Sequence, residues 1–209
     1  MAFRAWGFWA MAALAWAPSL GGQSVRAKDL ATGKLLVASR PLRDPNFAHS
    51  VVMLVDYQED GVVGLVLNRR TRIPVSQALS IPEAKRRSDP LYVGGPVEED
   101  TVMALARLSA GSAGALHVFD DLYLISAKPL LARTVASSLG AGALHVYSGY
   151  AGWTGPQLRH EVEIGGWFIF PGDAAVVFDP DPGSLWSRLI EKAEARVAMN
   201  LPRVRAAIP

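Results

Sequence analysis

The polar residues that could bind a ligand fall into three short segments of the chain. Asp44 and Asn46 stand in the turn sequence Asp-Pro-Asn-Phe, where Asp and Asn side chains often bond their own backbone. Asn68 directly follows an apolar run, and an amide at a strand end either orients a ligand or satisfies unpaired backbone groups. Residues 149–153 combine two glycines with two aromatic side chains, a composition typical of a flat pocket wall or of a packing corner.

We predict that these segments form one small-molecule site. Residues 44–47 precede a predicted strand and Asn68 follows the strand paired with it, so both should lie at the same end of the sheet. Trp153 would then supply the apolar wall, and the two amides would orient the ligand. The predicted ligand-binding residues are Asp44, Asn46, Phe47, Asn68, Gly149, Tyr150 and Trp153. The competing interpretation makes Phe47 a core residue and Asn68 a structural cap.

The motifs identify no catalytic residue, metal site or cofactor site, and we predict no cofactor. The histidines His49, His117, His145 and His160 are scattered, without H-x-H or H-E-x-x-H spacing. The sequence also lacks a G-x-S-x-G elbow, a P-loop and a G-x-G-x-x-G motif. A hydrolase-like enzyme with His49 or Asp44 as the base is the catalytic alternative, although no nucleophile is defined by the sequence.

Composition and charge limit the classes of partner. The chain has 209 residues, half of them apolar, with 21 Lys and Arg against 19 Asp and Glu and no cysteine. Such a chain can bury a core, and it forms neither disulfides nor thiolate metal sites. Residues 1–27 hold two arginines and no acid, so the rest of the chain is neutral. We therefore expect no strong nucleic-acid binding, although basic clusters at residues 69–72 and 85–87 keep that alternative open.

Residues 1–27 have the pattern of a signal peptide. One arginine precedes an uncharged run over residues 5–17, which as a helix covers about 20 Å, short of the ~30 Å hydrocarbon core. Val25 and Ala27 place small residues at the −3 and −1 positions of a cleavage site after Ala27. We expect export to the periplasm or medium, with no stable membrane span after processing; an uncleaved tail on a cytoplasmic protein is the alternative.

The remaining chain, residues 28–209, is predicted to fold as a single domain of mixed strands and helices. Apolar runs at residues 50–57 and 62–67 flank a Gln-Glu-Asp-Gly turn, which predicts a hairpin. Helical spacing predicts helices over residues 128–139, from residue 155 to about 164, and after residue 181. Residues 101–108 fit either a helix or a strand. The pattern indicates an α+β domain rich in antiparallel pairing.

Three segments taken together resemble the YqgE/AlgH family of bacterial proteins. They are GKLLVASRPLRDPNFAHSVVMLVDYQEDGVVGLVLNRRT, YVGGPV and GYAGWTGPQLRHEV. Their order and spacing extend the resemblance over about residues 33–188. It implies an α+β fold in which a bifurcated, mostly antiparallel sheet wraps into a pseudo-barrel with peripheral helices. Members of the family are mostly uncharacterised, one branch bears the name of a regulator of alginate synthesis, and no catalytic residues are established.

Two features depart from the family pattern. Family members usually have Pro where this chain has Arg70, and they usually begin near the GKLLVA segment and are cytoplasmic. The sequence and the resemblance together favour a small-ligand-binding or regulatory protein whose partner is a small molecule or a protein. A hydrolase-like enzyme and, for a cytoplasmic protein, a transcriptional regulator are the alternatives.

Overall fold

A computed structural model describes residues 27–79, 81–109 and 113–200 of the chain. Ten strands lie in this part of the chain: β1 (Lys34–Ala38), β2 (Val51–Tyr57), β3 (Val62–Val66), β4 (Arg70–Pro74), β5 (Pro90–Val93), β6 (Val97–Arg107), β7 (Ala115–Phe119), β8 (Leu122–Ile125), β9 (Leu144–Trp153) and β10 (Trp167–Pro171). The α-helices are α1 (Val75–Ala78), α2 (Lys128–Ala136), α3 (Gly155–Glu163), α4 (Ala174–Val177) and α5 (Pro182–Asn200). Short 3-10 helices occupy Ala27–Asp29 and Pro82–Arg86.

All ten strands belong to one curled sheet that divides at β9. The main path runs β10-β1-β2-β3-β9-β6-β8-β7, and each neighbouring pair along it is antiparallel. The second half of β9 pairs with β3, whereas its first half pairs in parallel with β5, which in turn pairs with β4. Because β3 and β5 share one side of β9, the sheet forks there. This confirms the α+β fold with a bifurcated, mostly antiparallel sheet, which curls into a half-barrel.

The predicted hairpin is formed by β2 and β3. The Gln58 N–H donates to the Gly61 carbonyl at 3.0 Å, closing the turn. Gly64 lies in the middle of β3, beside a register shift between Leu54 and Asp56. A Cβ at Gly64 would meet a Val52 methyl at 2.5 Å, so a larger residue would displace β2 from its partner.

Three apolar clusters hold the sheet and helices together. The inner, concave face packs against α5 through Leu185, Leu189 and Ile190. The outer face over β1–β3 is covered by α3, and the outer face over β6, β8 and β9 is covered by α2. Alternate residues of each strand therefore enter different clusters, as the two-residue period of a strand requires. The helices lie around the sheet, each burying one apolar face.

Two local features differ from or complete the sequence interpretation. The ambiguous segment at residues 101–108 is strand: it belongs to the eleven-residue β6, which pairs with both β8 and β9. The basic run after Asn68 continues into β4, which pairs with β5. That pairing brings Arg70 directly opposite Tyr92, a juxtaposition with no signal in the local sequence.

The predicted signal peptide lies outside the described residues except for Ala27. The first core contact beyond the predicted cleavage point is Leu30, which is buried against the outer face over β1–β3. Within the described ranges, no helix is both long enough and apolar enough to cross a membrane.

Candidate ligand-binding cavity

The Asn68 side chain is engaged with the backbone of β2. Its Nδ2 donates to the His49 carbonyl at 2.9 Å, and its Oδ1 accepts the Val51 N–H at 2.9 Å. His49 holds a positive φ of 57°, a conformation that costs energy for a residue with a Cβ. The Asn68 amide therefore fixes a strained corner at the start of β2, in agreement with the structural-cap interpretation.

Residues 44–47 form a turn stabilised by its own side chain. Asp44 Oδ1 accepts the Asn46 N–H at 2.8 Å, and the Phe47 N–H donates to the Asp44 carbonyl at 2.9 Å. The Asn46 side chain is exposed, and the Phe47 ring is 4% exposed. The turn thus delivers Phe47 into the outer cluster as a core residue.

Trp153 belongs to the same aromatic cluster, which is organised around one carboxylate. Its ring stacks on Phe47 with centroids 5.2 Å apart. Glu161 Oε2 accepts the indole N–H groups of Trp153 at 3.1 Å and of Trp167 at 2.9 Å, while Oε1 accepts from Gln157 at 3.1 Å. Burial raises the pKa of the Glu161 carboxyl, and these three donors oppose that rise. The cluster is filled by its own side chains.

The sequence-predicted residues therefore fall into separate groups. Trp153 pairs with Val62, at the turn end of β3, whereas Asn68 lies six residues further along, about 20 Å at the rise of a strand. The structure brings Phe47 to Trp153, and it places the Asn68 amide on the His49 carbonyl, two residues after Phe47, but Asn68 makes no hydrogen bond to Trp153. The expected pocket with Asn68 and Trp153 side by side is not assembled, because residues 149–153 run antiparallel to β3 and carry Trp153 away from Asn68. A ligand role for the individual residues stays a prediction.

Gly149 and Tyr150 form a close backbone crossing. A Cβ at Gly94 would overlap the Gly149 carbonyl, and one at Gly95 would overlap the Tyr150 backbone. Gly149 itself has a φ of 68°. The Gly94 N–H donates to the Ser148 carbonyl at 2.8 Å, and its own carbonyl accepts the Val66 N–H at 2.8 Å. This crossing is where the sheet forks, so glycine is required for packing.

A cavity of about 260 Å³ opens at the fork between β4, β5, β9 and the turn after α4. Its polar and aromatic lining includes Arg70, Asp89, Tyr92, His145, Phe178 and Asp179. Apolar walls with a few convergent polar groups are the usual composition of a small-molecule site. None of these residues belongs to the set predicted from the sequence, although Arg70 and His145 were singled out in it for other reasons.

His145 is the central group of the cavity wall. It is 6% exposed, its ring stacks on Tyr92 with centroids 4.4 Å apart, and Phe178 contacts its edge at 5.0 Å. Its Nε2 lies 3.5 Å from the Tyr92 hydroxyl, a long contact. Its Nδ1 is fully buried and makes no well-aligned hydrogen bond in the described residues, although the Ala141 and Val177 backbones interact with the ring and raise its pKa. Burial lowers the pKa of His145 to about 4. The imidazole is therefore neutral at pH 7.

The charged residues at the cavity mouth offset one another. Asp89 accepts from Arg87 Nε at 2.8 Å, and Asp179 accepts from Arg188 at 2.7 Å. Arg87 is itself fixed, since its guanidinium also donates to the Val135 carbonyl at 2.8 Å and to the Leu139 carbonyl. Arg70, which is exposed, makes no ion pair with any residue in the described ranges. Hydrogen bonds from Ser184 and, to a smaller extent, the charges of Arg188 and Arg70 lower the pKa of the nearby Asp181 carboxyl, so the positive and negative charges around the mouth are balanced.

Sequence reasoning missed this cavity because its residues are far apart in the chain. One signal was available: His145 and Tyr147 alternate with apolar residues in the ALHVY strand, so both must face the same side of the sheet. Tyr147 is fully buried, and its hydroxyl, like His145 Nδ1, lacks a partner among the described residues. Two polar groups on one buried strand face indicate a site, but the sequence does not show which elements enclose it.

Comparisons with known proteins agree with the fold. The family model described as DUF179, AlgH-like, matches residues 35–198. A UPF0301 protein of Streptomyces coelicolor is 35% identical over 179 residues, covering 80% of this chain and 89% of that protein. A UPF0301 protein of Chlorobaculum tepidum is 33% identical over 162 residues, covering 77% and 86%.

Two solved structures share the architecture. The solution structure of the AlgH protein from Pseudomonas aeruginosa superposes with a TM-score of 0.62 at 25% identity, covering 92% of this chain and 99% of that one. The crystal structure of a Corynebacterium diphtheriae protein gives a TM-score of 0.65 at 23% identity, covering 78% and 87%. At such identities, the similarity supports the shared fold, and any function of the cavity has to be argued from the residues of this chain.

Proposed function

The chain belongs to the AlgH-like (UPF0301) family, which has no established function, and we propose that this protein binds a small molecule. The proposed site is the cavity at the fork of the sheet. The observation that carries the proposal is the cavity of about 260 Å³ on which the stacked Tyr92 and His145 rings, Phe178 and the charged Arg70 converge.

The aromatic walls supply contact area for a small ligand. The stacked Tyr92 and His145 rings and the Phe178 ring line the cavity, and aromatic side chains favour offset-stacked or edge-to-face contact with another ring. The neutral state of His145 supports this role, because a neutral imidazole offers one donor and one acceptor rather than two donors.

The cavity is connected to α5, which supports a regulatory use of binding. Phe178 and Asp179 form part of the cavity wall and lie directly before α5. Asp179 holds Arg188 of α5 at 2.7 Å, and Trp186 of the same helix donates to the Ala38 carbonyl at 2.8 Å. A ligand that displaces Phe178 would therefore change contacts along the helix that packs against the concave face of the sheet. Regulation through α5 is the second part of the proposal.

Two glycines in one loop provide a matched test of the site. Gly142 lines the cavity and Gly140 does not, and a Cβ at either position meets no atom within 4 Å. A fragment library is screened by thermal shift against the full chain, Gly142→Phe and Gly140→Phe. A fragment at 100 times its Kd adds about 2.7 kcal/mol of stability, which raises the melting temperature by roughly 5–10 °C in a domain of this size.

The proposal expects fragment hits that Gly142→Phe removes and Gly140→Phe retains. Hits that survive Gly142→Phe lie elsewhere on the protein and contradict the cavity as the binding site. An absence of hits for the wild-type chain across a library of small polar and aromatic fragments contradicts the proposal as a whole.

We also propose that residues 1–27 direct export and are removed. The uncharged run over residues 5–17 and the small residues Val25 and Ala27 support this. Cleavage after Ala27 would leave the buried Leu30 in place. Mass spectrometry of the native protein should find a chain that begins at Lys28, and an intact N-terminus on protein from a cytoplasmic fraction would contradict export.

A further inference from the structure

We propose that one outer surface of the domain docks on an anionic lipid bilayer. The surface is formed by β4, α1, the 3-10 helix Pro82–Arg86 and α2, within residues 70–88 and 126–142, and is named the basic layer. The exposed cations that carry the proposal do not line the cavity at the fork of the sheet. The proposal is therefore independent of the ligand-binding function.

Charge is divided unevenly between the basic layer and the rest of the domain. Residues 70–88 and 126–142 hold seven basic residues and one acidic residue, Glu83. The remainder of residues 28–209 holds twelve basic and eighteen acidic residues. The neutral total thus combines a positive layer with a negative remainder, a distribution that orients the domain towards an anionic partner.

Five cations of the basic layer are exposed and make no ion pair with any side chain that the structure describes. They are Arg72, Lys85, Arg86, Lys128 and Arg133. Of the other two basic residues, Arg87 is buried and paired with Asp89. Arg70 interacts with Asp181 and is left out of the argument.

The helices of the basic layer present their cations on one side of the sheet. Val75 of α1, Ala84 of the 3-10 helix and Leu131 of α2 enter the same apolar cluster over β6, β8 and β9. Because all three helices bury their apolar faces in this cluster, their exposed residues face the solvent on the same outer side.

Arg87 fixes the 3-10 helix against the last turn of α2. Its guanidinium donates to the Val135 carbonyl at 2.8 Å and to the carbonyl of a residue just beyond the helix. Lys85 and Arg86, the two residues before Arg87, therefore lie beside the half of α2 that carries Arg133. Three exposed cations from two elements are brought together in this way.

A bilayer surface fits this arrangement better than a nucleic acid or a protein. A planar partner meets the basic layer alone, whereas a polyanion that wraps several faces also meets the negative remainder of the domain. Residues 70–88 and 126–142 contain no Phe, Tyr or Trp, so the layer offers neither a stacking platform for bases nor an aromatic anchor for a protein interface.

Attraction to anionic headgroups requires no matching shape. Each Lys or Arg near an anionic membrane strengthens the partitioning of a protein onto it by about fivefold. Ile73, which is 50% exposed and follows Arg72 in β4, adds an apolar side chain for the boundary between headgroups and acyl chains. The layer therefore has the composition of a peripheral, salt-sensitive membrane contact.

Co-sedimentation of the full chain with lipid vesicles tests the proposal. Binding is measured to phosphatidylcholine vesicles with and without about 30% phosphatidylglycerol, at ~50 mM and ~500 mM salt. The layer variant Arg86→Gln/Arg133→Gln is compared with Arg43→Gln/Lys192→Gln, which removes two exposed cations from outside the layer. All proteins share residues 1–27, so any lipid contact of that segment contributes equally.

The proposal expects phosphatidylglycerol to tighten binding by at least about tenfold at low salt, and high salt to abolish this gain. The layer variant should weaken binding to the anionic vesicles by about tenfold or more, and the control variant by less than about threefold. Lys85→Gln/Lys128→Gln, a second layer variant, should act like the first. Unchanged melting temperatures exclude unfolding as the cause, since all these side chains are exposed.

Three results would overturn the proposal. Equal binding to vesicles with and without phosphatidylglycerol removes the preference for anionic lipid. Equal weakening by the layer and control variants shows that net charge, rather than the basic layer, governs binding. Tighter binding of duplex DNA or polyglutamate, at the same concentration of anionic groups, replaces the bilayer with another class of partner.

Discussion

The buried imidazole of His145 should make the stability of the fold depend on pH. Burial lowers its pKa to about 4, whereas an imidazole in the unfolded chain titrates near 6.5. Between these values, the unfolded chain binds a proton that the folded chain does not. The contribution of His145 to the free energy of unfolding is therefore complete above pH 6.5 and is lost as the pH falls towards 4.

The size of this loss follows from the difference between the two pKa values. A shift of one unit corresponds to about 1.36 kcal/mol, so the contribution falls by about 2 kcal/mol on going to pH 5 and by about 3 kcal/mol at pH 4. The Ala141 backbone, Asp89 and the Val177 backbone oppose this lowering of the His145 pKa, and Arg70 adds to it, but each effect is smaller than that of burial. The raised pKa of Glu161 acts in the other direction, so the wild-type profile alone does not isolate His145.

Denaturant unfolding of the wild type and of His145→Phe between pH 7.5 and pH 4 isolates the contribution of His145 to stability. Between pH 7.5 and pH 4, the unfolding free energy of the wild type should fall by about 3 kcal/mol relative to that of His145→Phe. Val146→Ala on the same strand is the control, because it removes packing in the α2-covered cluster without removing a titratable group. A difference that changes by less than about 0.5 kcal/mol, or that changes equally for Val146→Ala, would refute the buried, neutral imidazole.

Three further predictions test the other assignments. Asn68→Ala should lower the free energy of unfolding by roughly 1–2 kcal/mol, because it removes the bonds to the His49 carbonyl and the Val51 N–H, and it should leave fragment binding unchanged; a stable variant that loses binding would restore the sequence-based site. Gly94→Ala should lower the melting temperature strongly or prevent folding, because its Cβ overlaps the Gly149 carbonyl, whereas Gly61→Ala meets no atom within 4 Å and should have little effect. Labelled duplex DNA at ~150 mM salt should bind no more tightly than the micromolar range of non-specific contacts, and sequence-selective nanomolar binding would contradict this.

Much of the fold could be predicted from the sequence because its signals are local. The β2–β3 hairpin follows from two apolar runs around a polar turn ending in Gly61. The start of α2 follows from apolar spacing, and the start of α3 follows from proline in the first turn. The C-terminal end of α2 was predicted at residue 139, but the helix ends at Ala136. The forked sheet came from the resemblance rather than from local patterns, since a β-strand pattern does not specify which strands pair.

The site was not predictable in the same way, because the types of the residues do not reveal their partners. Asn68 at a strand end carries the same sequence signal whether it binds a ligand or the His49 carbonyl. A tryptophan beside glycines, such as Trp153, is as typical of an exposed pocket wall as of a packed corner in the core. Only the contacts of Trp153 with Phe47 and Glu161 show that it is packed. The cavity depends on the β4–β5 pairing that places Arg70 opposite Tyr92, a contact between segments that the sequence analysis treated separately.

The imidazole ¹⁵N resonances of His145 provide the most direct test of ligand binding in the cavity. The full chain is labelled at histidine and titrated with fragments that raise its melting temperature, at pH 7. We predict that the ring nitrogen resonances of His145 shift in proportion to occupancy, because a ligand in the cavity contacts the His145 ring that lines it. If a fragment at saturating concentration stabilises the protein but leaves the ¹⁵N chemical shifts of both His145 ring nitrogens unchanged, the proposed site is contradicted.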